Sequence, residues 1–211
     1  MLCLGLQRTW ILTGKRCSKY LLRTVGYKEL HEITDMADNS FKNRSRSHMR
    51  IVAECGILAA LVFIGTELRI PTALGFMNLG DGVILIASYF LGPYAFFPAA
   101  IGSALGDLIA GYPVYIAPTF VIKGLMGLAA SLIMARSAGK KALGILIRIA
   151  AGIAAELIMV SGYFAFEALM YGVEAASGSV LFNLIQAGVA ILLAIPLTYA
   201  IRIKSRQAFG N

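Results

Sequence analysis

The sequence predicts an all-α integral membrane bundle of six transmembrane helices, on the strength of its composition, its hydropathy and the length of its apolar runs. Of the 211 residues, 58% are hydrophobic and 14% are charged. The mean hydropathy of +0.76 exceeds what a soluble domain with a solvated surface carries. After residue 50 the apolar runs approach the roughly 20 residues that a helix needs to cross about 30 Å of hydrocarbon.

Six apolar runs follow one another along residues 50–204, which we predict to be the membrane domain. Their predicted bounds are Ile51–Leu68, Asp81–Leu91, Tyr94–Gly111, Tyr115–Ala135, Ile147–Tyr171 and Val180–Ile203. The second run is too short to cross alone, and Gly92 with Pro93 predicts a tight break between two helices before the third run. We predict a loop over residues 69–80 and a kink at Pro196 in the last helix.

The first 49 residues are polar and basic, and we predict a separate, poorly ordered N-terminal extension. Ten of the nineteen Lys and Arg residues lie in residues 1–50, and the run Asp38–Ser47 is typical of a loop. Acidic residues argue against an organellar presequence: Glu29, Glu32, Asp35 and Asp38. A further hypothesis is that translation begins at Met36 or Met49. Residues 205–211 are predicted to be a cytoplasmic tail.

Basic residues in the loops and at the ends of the apolar runs predict the orientation. If there are six spans, one side of the membrane receives Arg50, Arg136, Lys140, Lys141, Arg148, Arg202, Lys204 and Arg206. The positive-inside rule then places both termini in the cytoplasm. We expect a multi-pass protein of the cell membrane, of the bacterial plasma membrane type, with the lipid bilayer as its solvent.

Several functional classes are disfavoured by the sequence. The net charge of +8 is accounted for by residues beside membrane spans, and no continuous basic face interleaved with aromatics indicates nucleic-acid binding. Cys3, Cys17 and Cys55 have no metal-ligand spacing, and we predict no metal site, cofactor or disulfide framework. His31 and His48 both precede the apolar runs, so the usual base for a nucleophilic enzyme is missing there.

Polar and aromatic residues of five segments are predicted to converge in the outer leaflet. A charge at the centre of a bilayer costs about 2.5–3.5 kcal/mol on insertion scales, so each such residue needs a reason. An outward-open cavity for a water-soluble ring would use carboxylates and amides for orientation and aromatics for stacking. The candidate cavity residues are Asn78, Asp81, Asp107, Tyr115, Lys123, Tyr163, Glu167, Asn183 and Gln186.

Other roles stay open for some of these residues. Tyr112, Tyr115 and Tyr171 are equally typical of an interfacial aromatic belt. Asn183 and Gln186 share one helical face and could form only interhelical hydrogen bonds. Lys123 could pair with Asp107, Glu167 or Glu156, or contact an anionic or carbonyl group of a ligand. Glu156 is predicted to hydrogen-bond a neighbouring helix or to be protonated, and not to bind ligand.

An ordered set of motifs over about residues 50–203 resembles a known family. The motifs are Phe76-Met-Asn-Leu-Gly-Asp81, Leu91-Gly-Pro93, Gly102-Ser-Ala-Leu-Gly-Asp107, Gly111-Tyr-Pro113 and Phe120-Val-Ile-Lys-Gly124. Together they are similar to the substrate-binding S components of energy-coupling factor (ECF) vitamin transporters, in the riboflavin-transporter-like branch. The resemblance implies a six-helix bundle whose first outer loop closes over a vitamin.

The resemblance also implies partners. A coupling membrane subunit and two cytoplasmic ATPases would supply the energy, since the sequence contains no Walker-type phosphate loop. Family members dock on the coupling subunit through an Ala-x-x-x-Ala pattern in helix one. Here only Cys55 with Ala59, or Gly56 with Ala60, has small residues at that spacing.

The predicted function is binding and uptake of a water-soluble vitamin or precursor that is pyridoxine-like, hydroxymethylpyrimidine-like or riboflavin-like. We expect no enzymatic activity. The alternatives are a membrane-embedded enzyme, which predicts turnover, and a structural membrane subunit, which predicts no ligand.

Overall fold

The protein is described here by a computed structural model that covers residues 27–72, 75–137 and 142–208. The chain divides into two compact units, Met1–Arg50 and Ile51–Asn211, and the functional features lie in the second. Residues 1–26 of the predicted extension 1–49 and residues 209–211 of the predicted tail 205–211 lie outside the described residues. The predicted boundary of the membrane domain stays a prediction.

The described residues are mainly helical, as predicted. The helices are α1 Tyr27–Glu67, α2 Gly80–Leu91, α3 Phe96–Ile109, α4 Pro113–Met134, α5 Ala142–Tyr171 and α6 Val173–Ala208. Short 3₁₀ segments follow α2 at Gly92–Ala95 and α4 at Ala135–Ser137. The turns after α2, α3 and α5 each contain a glycine with positive φ, at Gly92, Gly111 and Gly172.

Helix α1 corrects one prediction. The run Asp38–Ser47, predicted to be a loop, lies inside this helix. Neither Pro nor Gly occurs between Tyr27 and Cys55, so no residue in this stretch breaks the helix.

The segment predicted as a loop at residues 69–80 contains a β-hairpin. Strands β1 Arg69–Thr72 and β2 Gly75–Asn78 pair antiparallel, with Arg69 opposite Asn78 and Thr72 opposite Gly75. Two extended strands satisfy each other's backbone groups, so a short connection between helices can be ordered. The register places Arg69 and Asn78 side by side at the helical end of the hairpin.

Five helical stretches of the described chain are long and apolar enough to cross a membrane, one fewer than the six predicted. The difference arises because α2 and α3 together count as one stretch, Gly80–Ile109. Their geometry shows a reversal of the chain. A Cβ placed on Gly80 would lie 2.5 Å from Thr66 Oγ1, and one placed on Gly106 would lie 2.6 Å from Thr66 Cγ2. A straight helix would separate the two glycines by about 39 Å.

Small residues allow the helices to pack closely around an apolar core. A Cβ placed on Gly102 of α3 would lie 2.5 Å from the carbonyl oxygen of Ala59, so the α1 and α3 backbones touch. The core includes Val62, Ile84 and Met126. The outside is also apolar, with Leu169 88% exposed and Leu192 74% exposed. A surface of this kind suits contact with lipid hydrocarbon.

One basic residue was assigned wrongly to a loop. Arg148 lies within α5 and is only 1% exposed. Its guanidinium carbon lies 4.4 Å from the centre of the Tyr89 ring, a stacking contact that the planar guanidinium makes readily. Arg148 therefore belongs to the interior of the bundle and does not count among the basic residues of the α4–α5 connection.

Candidate functional site

A cavity of about 390 Å³ lies among the helices on the side of the bundle that carries the β-hairpin. This volume is near the lower end of the range for small-molecule sites, about 300–1,000 Å³. The lining comes from α1, both hairpin strands and helices α3, α4, α5 and α6. Segments far apart in sequence thus meet at one concave surface.

Eight of the nine predicted cavity residues line this space. They are Asn78, Asp107, Tyr115, Lys123, Tyr163, Glu167, Asn183 and Gln186. The ninth, Asp81, is absent from the lining and is fully buried in the first turn of α2. Its position in the sequence beside a predicted outer loop suggested exposure, but α2 turns this carboxylate into the bundle.

Asp81 is the centre of a buried polar cluster beneath the cavity. The Lys123 ammonium forms an ion pair with Asp81 Oδ1, and Gln186 Nε2 donates a hydrogen bond of 2.6 Å to Asp81 Oδ2. Gln186 Oε1 accepts a hydrogen bond of 3.0 Å from the Asn78 backbone N–H. The cluster therefore joins α2, α4, α6 and the hairpin. The carboxylate that pairs with Lys123 is Asp81, and not one of the three partners that the sequence suggested: Asp107, Glu167 or Glu156.

Tyr163 and Thr119 form part of the cavity wall next to Lys123. Their hydroxyl oxygens are 2.9 Å apart, and Lys123 Nζ lies 5.5 Å from the centre of the Tyr163 ring. The ring face stabilises the ammonium electrostatically, while Asp81 neutralises its charge. Lys123 is consequently held by protein groups and is only 3% exposed.

Glu167 and its neighbours form a second polar group at the cavity. The Ser179 hydroxyl donates to Glu167 Oε2, and the Tyr115 hydroxyl lies 3.5 Å from Glu167 Oε1. Tyr115 packs edge-on against Phe166, with ring centres 5.3 Å apart. It also packs edge-on against Tyr112 at 6.4 Å. These contacts hold Tyr112 and Tyr115 in the cavity wall. The sequence had left open whether the two tyrosines belong only to an interfacial aromatic belt.

Six lining residues were not among the predicted set. They are Thr66, Arg69, Tyr112, Thr119, Ser179 and Phe182. Arg69 is positioned by its ion pair with Glu67 at 2.9 Å and by a hydrogen bond of 3.0 Å to the Gly106 carbonyl. The polar cluster at the end of the first apolar run was a usable signal for Thr66 and Arg69. Thr119 and Ser179 gave little signal, because a lone hydroxyl inside an apolar helix usually bonds its own backbone.

Asp107 differs from the other carboxylates at the cavity. Its Oδ2 atom is buried and has no hydrogen-bond partner among the described residues. Lys123 and Arg69 act on Asp107 electrostatically, but each of these cations already forms an ion pair with another carboxylate. Asp107 therefore offers an acceptor oxygen that a bound molecule could use.

The two candidate docking pairs on α1 face different ways. Cys55 and Ala59 face the same chain: Cys55 Sγ lies 3.9 Å from the Tyr94 carbonyl oxygen, and Ala59 lies against Gly102. Gly56 and Ala60 are exposed, with open space around Gly56. The rotation of α1 thus turns Cys55 and Ala59, both half-buried, toward α3 and leaves Gly56 and Ala60 as the exposed pair of small residues.

Glu156 lies in α5 and does not line the cavity. It is 3% exposed, and neither carboxylate oxygen has a hydrogen-bond partner among the described residues. Of the two alternatives predicted for Glu156, the hydrogen bond to a neighbouring helix is therefore not observed among the described residues, and protonation stays a prediction. The charged groups that act on it are Asp81 and Lys123.

These features define a class of protein: a polytopic helical membrane protein with a polar solute-sized cavity among its helices. The family model of the ECF-type riboflavin transporter S component matches residues 46–203. The chain belongs to this family, which confirms the resemblance seen in the motifs. It is a multi-pass cell-membrane protein of vitamin transport, and its family is not an enzyme family.

A similar protein occurs in Pyrococcus woesei. It is described as an uncharacterized protein in a gap 3' region and is 32% identical over 138 residues. The matched part is 64% of this chain and 88% of that relative.

Proposed function

We propose that this chain is the substrate-binding S component of an ECF-type importer and holds a water-soluble vitamin or vitamin precursor in the cavity. The observation that carries this proposal is the 390 Å³ space lined by carboxylates, amides, hydroxyls and aromatic rings from six elements of the fold. Apolar rings stack on aromatic walls, and the polar groups fix the orientation of the ligand. Pyridoxine-like, hydroxymethylpyrimidine-like and riboflavin-like compounds are the candidates.

The proposed membrane topology has six crossings, with both termini in the cytoplasm. The reversal of the chain between α2 and α3 supports this count, because it makes two short helices out of one apolar stretch. The hairpin Arg69–Asn78 would then lie on the outer side, beside the cavity. A coupling membrane subunit and two ATPases would drive the movement of the bound vitamin.

The proposed docking face on the coupling subunit is the exposed side of α1 at Gly56 and Ala60. Small residues four apart let a partner helix approach closely, and dispersion between the two backbones then replaces contacts with lipid. No part of the described chain packs over Gly56, since a Cβ at this position would meet open space.

Ligand binding by the purified chain is the direct test. The protein is purified in detergent and titrated calorimetrically with water-soluble vitamins, and co-purifying small molecules are identified by mass spectrometry. Saturable binding without turnover supports the proposal. Turnover of the ligand would instead indicate an enzyme, and the absence of any ligand would indicate a structural subunit.

Two substitutions locate the site. Glu167→Ala and Asn183→Ala should each weaken binding by about 1–3 kcal/mol if these side chains hydrogen-bond the ligand. Leu184→Ala is the matched control, because this neighbour of Asn183 is 49% exposed on the outside of the bundle. Unchanged affinity in both cavity variants would place the site elsewhere.

A further inference from the structure

The charges around the cavity are unequal in number. Two cations line the described part of the cavity wall, Arg69 and Lys123. Each cation already forms an ion pair with a carboxylate that does not line the cavity. Arg69 pairs with Glu67 at 2.9 Å, and Lys123 pairs with Asp81. Both cations therefore already have a counter-ion, and the attraction that each exerts on Asp107 is shared with that counter-ion.

Two further carboxylates line the same space without a cation of their own. Glu167 is held by the neutral hydroxyls of Ser179 and Tyr115. Asp107 has a buried oxygen with no hydrogen-bond partner among the described residues. Four carboxylates thus meet two cations, which leaves two negative charges in a region surrounded by apolar helices. Charge in such surroundings is costly unless a positive group compensates it.

The aromatic lining also favours a positively charged ligand. Tyr112, Tyr115, Tyr163 and Phe182 all contribute to the cavity wall. The face of an aromatic ring carries a negative partial charge, so it attracts a cation within about 6 Å of its centre. Tyr163 already shows this preference toward Lys123 at 5.5 Å. Aromatic walls and unpaired carboxylates are the combination that recognises cationic nitrogen compounds.

We infer that the substrate carries a positive charge: the ligand is a cationic nitrogen heterocycle or ring-bearing amine, with Asp107 as its main counter-ion. This inference rests on the proposed function and narrows its substrate class. Neutral flavins and anionic vitamins would leave the carboxylate of Asp107 uncompensated. A cationic group placed against Asp107 Oδ2 gives that oxygen its missing donor and its missing charge partner.

Ligands that differ mainly in charge test the inference. Pyridoxamine, pyridoxine and 4-pyridoxic acid share one ring and carry an amine, a hydroxyl or a carboxylate at the same position. Thiamine, riboflavin and pantothenate extend the comparison to a cationic, a neutral and an anionic vitamin. Affinities are measured by calorimetry at neutral pH on the full chain in detergent. In whichever series binds, the cationic compound should bind at least tenfold more tightly than the neutral one.

Asp107→Asn should then remove this preference. We expect affinity for the cationic ligand to fall at least tenfold and affinity for its neutral analogue to stay within about twofold. Glu174→Gln is the charge-matched control. Glu174 is exposed at the start of α6, so this substitution removes one negative charge at a site away from the cavity. The thermal midpoint of the unliganded Asp107→Asn protein should not fall, which separates loss of binding from loss of fold.

Each contrary outcome has a distinct meaning. Tightest binding of riboflavin, pyridoxine or an anion would overturn the cationic substrate class and leave the vitamin-binding proposal intact. Tightest binding of a cation that Asp107→Asn leaves unchanged would overturn the assignment of the counter-ion. Failure of every compound to bind would overturn the inference together with the proposed function.

Discussion

Replacing Lys123 with methionine tests whether the Asp81–Lys123 pair stabilises the bundle. Methionine preserves the unbranched chain but removes the ammonium group. In the native protein the Lys123 side chain is 4% exposed and that of Asp81 is 0% exposed, so water cannot compensate either charge. In the variant, the hydrogen bond of 2.6 Å from Gln186 is the one that Asp81 keeps among the described side chains.

The expected cost follows from this burial. Removing one partner of a buried ion pair destabilises a protein by about 3–5 kcal/mol, because the other charge stays buried and uncompensated. For chains of 150–250 residues, each kcal/mol lowers the thermal midpoint by roughly 2–4 °C, which predicts a fall on the order of 10 °C. Lys123→Met/Asp81→Asn removes both charges and should be more stable than Lys123→Met alone.

The assay is thermal unfolding in detergent without ligand, measured for the wild type, both single variants and the double variant. Glu174→Gln serves as the control, because this exposed carboxylate at the start of α6 contributes only a helix-dipole interaction of about 0.3–1 kcal/mol. If the two single losses simply add in the double variant, the side chains are not coupled and the argument from burial is refuted.

Three further predictions concern packing, docking and the buried carboxylate of Glu156. Gly102→Ala should cost about 1–3 kcal/mol in thermal unfolding, because its Cβ would lie 2.5 Å from the Ala59 carbonyl oxygen; Gly188→Ala, in open space on α6, should be neutral or stabilising, and equal effects would contradict the close contact. Gly56→Leu should abolish co-purification with the coupling subunit and leave vitamin affinity unchanged, and retained assembly would exclude this face as the docking surface. Glu156→Gln should leave the thermal midpoint unchanged or raise it, because both carboxylate oxygens lack hydrogen-bond partners among the described residues; a fall as large as that of Asp81→Asn would show that the charge of Glu156 is needed.

The sequence could predict the class of the protein because the signal for it is local. Each apolar run is long enough to reach across hydrocarbon by itself, and its length and composition can be read without knowing what it packs against. Gly92 with Pro93 marked the break between α2 and α3 for the same reason: Gly92 adopts a positive φ directly after α2, and Pro93 lacks the N–H group that would continue the helix. The ordered motifs then predicted the family that the comparison confirms.

The position of a residue along its helix could also be predicted from the sequence. Residues such as Asp107, Tyr115 and Glu167 were predicted at one end of their spans, and all three line the cavity. A position along a helix follows from counting residues at about 1.5 Å each. The direction in which a side chain points around the helix does not follow from that count.

Rotation about each helix axis is what only the tertiary structure decided. It turned Asp81 from the cavity into the core, where it meets Lys123 from 42 residues away and Gln186 from 105 residues away. It turned Cys55 and Ala59 toward α3 and left Gly56 and Ala60 outside. It also buried Arg148 against Tyr89. Apolar composition all around a membrane helix hides which face is inside, because lipid and protein interior are equally apolar, so these pairings appear only when the helices are packed together.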